Sequence, residues 1–94
     1  MKYERFASVW DALEDSPAEA ANMKARSKIL IALRTTITGW NVTRDEAAER
    51  LSVTTPRVDE IIEGQIDRLE LDALLALATA AGLRIDLHIT SDAA

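Results

Sequence analysis

The sequence predicts a mostly α fold, with five helices around one core and a C-terminal β-strand that pairs across a dimer. Three observations predict it. Apolar residues recur at three- and four-residue intervals along most of the chain, the period of a helix with one inward face. Four of those stretches open on Ser8, Ser16, Thr43 or Thr54, residue types that cap helix N-termini. Only over 83–90 does the period fall to two, the repeat of a half-buried strand.

Taken in order, Ser8 caps a short helix over 8–14, with Phe6, Val9, Trp10 and Leu13 on one stripe. Ser16, followed by Pro17 and by Glu19 three residues on, starts a long helix that runs to about Thr38 and ends before Gly39. Leu30, Leu33 and Ile37 form its main stripe, while Ile29 and Ile31 face elsewhere. A helix apolar on more than one side is sandwiched, either by its own chain or by a second copy. Trp40 then falls in the connector. Thr43 caps Arg44–Leu51, again with a glutamate, Glu46, three residues on. Thr54 caps a helix over 55–63 that tolerates Pro56 in its first turn, and Gly64 ends it with a left-handed cap. After a linker over 65–70, LDALLALATAA reads as a buried helix closed by Gly82. In the last element Leu83, Ile85, Leu87 and Ile89 alternate with Arg84, Asp86 and His88. A lone strand leaves an open edge, and the economical partner is the same strand across a two-fold axis. A homodimer is therefore expected.

Composition narrows the classes. Ninety-four residues make a single domain over 1–94, large enough to bury roughly 60% of its unfolded surface. With 48% of residues apolar, a core forms and wholesale disorder is excluded. The chain has no cysteine, which excludes a disulfide framework and a thiolate zinc site. Its longest apolar runs fall far short of the ~20 residues that span a bilayer, and MKYERF has no signal-type apolar region. The expectation is a cytoplasmic protein. No nucleophile stands beside a base, and there is no phosphate-cradling glycine loop or metal-ligand cluster, so neither enzymatic activity nor a metal or cofactor is expected. The single histidine, His88, is read as surface or interface packing.

The stretch over 44–63 carries the strongest functional signal. Ala48 sits where two crossing helices approach closely, Val53 plugs the turn, and Val58 and Ile61 give the second helix its inward face. That spacing is the pattern of a helix-turn-helix, whose second helix lies in the DNA major groove. On this reading Thr54, Thr55, Arg57, Asp59 and Glu60 face the groove. Arg57 is suited to guanine O6 and N7, Thr55 to a thymine methyl or to accept from a base amine, and Asp59 to cytosine N4. Arg44, at a helix start, is placed for a phosphate. The charge points the other way. The whole chain has a formal net charge of −5, and the module holds three arginines against six acids, Glu63 among them.

FASVWDALEDSPAEAANMKARSKILIALR, RDEAAERLSVTTPRVDEIIEG and LDALLALATAAGLRIDLHI together resemble the Xre/cI-type helix-turn-helix proteins. More narrowly, they resemble the HigA-like antitoxins of type II toxin–antitoxin systems. The resemblance covers nearly the whole chain. It implies an antitoxin that neutralises a RelE/HigB-like ribonuclease toxin and, as a dimer, represses its own operon. Two positions depart from the family pattern. Ser52 stands at a turn position usually held by glycine, and Thr55 and Asp59 stand near positions where relatives usually offer Gln and Ser.

Outside the module, Lys24, Arg26 and Lys28 cluster on the long helix, with Arg34 two turns from Arg26. They are suited to flanking phosphates or an acidic partner, or are a solvated face. Tyr3, Phe6 and Trp10 put three of the four aromatics in the first ten residues, within an N-terminal segment over 1–16. Such rings anchor partners, here the toxin, or pack on the long helix. Two rival readings stand beside the dimeric antitoxin-repressor. One is a stand-alone repressor without a toxin; the other is a toxin-binding protein that has lost DNA binding.

Overall fold

The computed structural model describes residues 16–91. Within them four α-helices and one 3-10 turn follow in the order α1 (Pro17–Trp40), α2 (Arg44–Leu51), α3 (Thr55–Ile62), the turn Ile66–Arg68, and α4 (Leu71–Ala80). The fifth predicted helix, over 8–14, and the aromatic residues Tyr3, Phe6 and Trp10 lie outside the described residues.

The helix starts follow their caps. Ser16 is extended and its Oγ accepts the Glu19 N–H at 3.2 Å. At α2 the reciprocal capping box closes, with Thr43 Oγ1 accepting from the Glu46 N–H at 3.1 Å and Glu46 Oε1 accepting from the Thr43 N–H at 3.2 Å. The α1 stop corrects the sequence reading. Gly39 lies inside the helix, and the left-handed residue is Asn41, at φ 57° and ψ 47°, which donates its N–H to the Thr38 carbonyl. A helical glycine costs about 1 kcal/mol without forcing a stop, whereas asparagine readily adopts the left-handed cap. Trp40 is therefore the last residue of α1, half-buried, with the Arg50 guanidinium 4.8 Å above its ring.

Three later helix ends share one closure. After α2, Val53 N–H reaches back to the Ala48 carbonyl and Ser52 N–H to that of Glu49. After α3 the same pair runs from Gln65 to Glu60 and from Gly64 to Ile61, and after α4 from Leu83 to Ala78 and from Gly82 to Thr79. Each is a Schellman motif, which needs a left-handed residue at its corner. Gly64 and Gly82 supply it at φ 70° and 88°, and Ser52 supplies it at φ 59°. Serine thus makes the same turn as glycine, with the strain of its Cβ.

The core joins all four helices. Leu30, Leu33 and Ile37 of α1 meet Leu51 of α2, Val58 and Ile61 of α3, and Leu74 and Leu77 of α4. Burying a side chain such as Leu33, which has no exposed surface, is worth up to about 1.5–3 kcal/mol. Leu69, in the stretch read only as a linker, is also fully buried. α4 buries one face rather than its whole surface, since Leu75 is 39% exposed.

Among the described residues there is no β-strand, and the chain from 83 to 91 is irregular. The predicted C-terminal strand of Leu83, Ile85, Leu87 and Ile89 is thus not formed in the single chain. The reason is physical: a ladder requires a second strand, and among the described residues none is offered. Leu87 and Ile89 stand 81% and 86% exposed.

Candidate nucleic-acid interface

The α2–turn–α3 unit is built from its inward side. Ala47 and Ala48 are buried, and their small side chains let the two helices approach closely. Half-buried Val53 fills the turn, and Val58 and Ile61 have no exposed surface. With that face fixed, the remaining positions of α3 turn outward. Among them are Thr55, Arg57, Asp59 and Glu60, each partly exposed.

On that outer face the six candidate DNA-contacting residues are engaged with their own chain. Arg44 Nη1 pairs with Asp59 Oδ1, joining the start of α2 to the middle of α3. Thr55 Oγ1 donates to Asp45 Oδ1 at 2.9 Å. Arg57 Nη1 meets Glu60 Oε1 at 3.1 Å and donates to the Arg68 carbonyl at the same distance. The other Glu60 oxygen is 4.0 Å from Arg68 Nη1. Thr54 Oγ1 accepts the Arg57 N–H at 3.3 Å as the α3 cap. Three sets of contacts result: Arg44 with Asp59, Thr55 with Asp45, and Arg57 with Glu60 and Arg68.

These pairs lie at the surface. The side chains of Arg44 and Asp59 are 49% and 39% exposed, so the pair adds little to stability. Its effect is on charge. Each arginine that faces outward here has a carboxylate within ion-pair distance on the same face. The pairs are open to solvent, and an anion such as phosphate can compete for the guanidinium groups.

The basic residues of α1 divide. Arg26 Nη1 donates to the carbonyls of Ile66 and Leu69 at 3.0 and 3.2 Å, and its Nε donates to Asn22 Oδ1. Arg34 Nε donates to the Ile62 carbonyl at 3.0 Å. Both hold the α3–α4 connection, a role that sequence spacing does not reveal because the partners are backbone groups distant in the chain. Lys24 and Lys28 are exposed. Sequence reasoning missed Asp45 and Arg68 as members of the outer-face contacts. Asp45 entered only as one of the module's six acids, and Arg68 as part of a linker. His88 lies exposed in the irregular C-terminal segment.

Among the described residues no group of three or more His, Cys, Asp or Glu is placed to hold a metal ion. Among them, too, no helix is long and apolar enough to cross a membrane. Residues 12–90 match a family described as a helix-turn-helix domain, which supports the wider Xre-type resemblance. Comparison with curated proteins returns no match.

Proposed function

The chain belongs to the helix-turn-helix domain family, and from that premise we propose that it is a dimeric, sequence-specific DNA-binding autorepressor that also acts as an antitoxin. The observation that carries the DNA-binding part is the α2–α3 unit, with Val58 and Ile61 inward and Arg57 on the outer face. Arg57 reads guanine, Thr55 and Asp59 read neighbouring bases, Glu60 steers Arg57, Thr54 fixes the start of the helix, and Arg44 meets a phosphate. Two copies present two α3 helices to half-sites about 34 Å apart.

The dimer reading rests on apolar surface. Ile29, Leu71, Leu75, Leu83, Ile85 and Leu87 line one open groove between α1, α4 and the C-terminal segment. Two residues beyond Leu87, Ile89 stands 86% exposed. A second copy that pairs its own residues 83–90 with this segment supplies the missing ladder and covers the groove.

The antitoxin part rests on the resemblance to HigA-like proteins. Its contact with a small ribonuclease toxin is assigned to Tyr3, Phe6 and Trp10, aromatic anchors beyond the helix-turn-helix core. The test is co-expression with the small basic protein encoded beside it. Relief of that protein's growth arrest by the full chain, lost on replacing the three rings with serine, supports the antitoxin role. Unrelieved arrest, with no complex in a pull-down, leaves a stand-alone repressor.

A further inference from the structure

The acids of the outer face have a use that follows from where they sit. We propose that Asp59 and Glu60 are specificity-determining residues, which suppress binding to nonspecific DNA by holding Arg44 and Arg57 in ion pairs. The proposal rests on the DNA-binding reading above and goes beyond it.

Nonspecific binding comes almost wholly from cations that neutralise phosphates and release counterions. Here Arg44 already has Asp59 as its counterion, and Arg57 has Glu60, at 3.1 Å. A phosphate that approaches Arg44 displaces Asp59 and leaves that carboxylate facing the polyanion. A duplex of arbitrary sequence offers the carboxylate nothing in return. A duplex with the right bases does, because the N4 amine of cytosine donates to a carboxylate and guanine O6 and N7 accept from arginine. The penalty therefore falls on wrong sequences more than on the right one. Glu60 is the less exposed of the two acids. Its side chain is 23% exposed and lies between Arg57 and Arg68.

The test compares the full chain with its Asp59→Asn and Glu60→Gln variants, which keep side-chain shape and remove charge. Each is titrated against a duplex from the chain's own upstream region and against a scrambled duplex, over a range of salt. Circular dichroism checks that all three fold, and each variant tests the proposal separately. The expected result is a rise of about fivefold or more in affinity for the scrambled duplex at low salt, and a salt dependence steeper by about one phosphate contact per freed arginine. The ratio of specific to scrambled affinity falls in both variants. Unchanged scrambled-duplex affinity and salt slope, with the parent still binding its own duplex, overturn the proposal alone. If neither parent nor variants bind any duplex, the proposal and the DNA-binding reading fall together.

Discussion

Arg34 Nε donates to the carbonyl of Ile62 at 3.0 Å, tying the middle of α1 to the last residue of α3. The contact places a positive charge at the C-terminal end of α3, where unpaired carbonyls concentrate negative potential. It also fixes how α3 leaves the body of the domain. Arg34→Gln is expected to cost about 1 kcal/mol, which a domain of this size shows as a fall in Tm of about 4–8 °C. Because the guanidinium serves the backbone, the salt dependence of DNA binding is expected to stay the same. A flatter slope in the variant would instead place Arg34 on a phosphate.

Ser52 carries the left-handed turn between α2 and α3 at φ 59°, in the same closure that Gly64 makes at φ 70°. A Cβ in that conformation costs roughly 1–2 kcal/mol, partly offset by the extra freedom that glycine gives the unfolded chain. Ser52→Gly is therefore expected to stabilise the protein by about 0.5–1 kcal/mol, and Gly64→Ala to destabilise it by about 1 kcal/mol. Urea unfolding of both variants checks the signs. Stabilisation by Gly64→Ala would contradict the strain argument.

The core and the C-terminal segment are expected to respond differently to truncation. Leu33 has no exposed surface, so Leu33→Ala should cost about 2–5 kcal/mol. Leu87 is 81% exposed, and Leu87→Ser should leave the fold of the single chain within about 0.5 kcal/mol. If residues 83–90 pair between copies, Leu87→Ser lowers the mass measured by light scattering toward that of one chain. An unchanged mass would remove this segment from the dimer interface.

Much of this fold is legible in the sequence, because local rules and burial agree. The stripe Leu30, Leu33, Ile37 is buried as its spacing predicts, and the caps Ser16, Thr43 and Thr54 stand at helix starts. The end of α1 misled because Gly39 and Asn41 both suit a helix stop, and only the cap geometry decides between them. The strand differs for another reason: period-two spacing reports a surface fit for pairing, but a ladder also needs a second strand, which the described residues do not offer. The outward register of Thr55, Arg57, Asp59 and Glu60 on α3 was legible from the inward Val58 and Ile61. Their partners were not. Arg44–Asp59 and Thr55–Asp45 bridge two helices across a turn, at separations of 15 and 10 residues that no periodicity encodes.

The central claim is that α3 reads DNA, and the most direct measurement titrates the protein and its Arg57→Ala variant against labelled duplex from its own upstream region. A scrambled duplex runs beside it, at low and at near-physiological salt. The account predicts tight binding to the upstream duplex that survives near-physiological salt and weakens about tenfold or more in Arg57→Ala, the loss of one base contact worth about 1–3 kcal/mol. Absence of binding to either duplex at both salts, by a protein whose helical content is intact, would contradict it and leave the helix-turn-helix a scaffold.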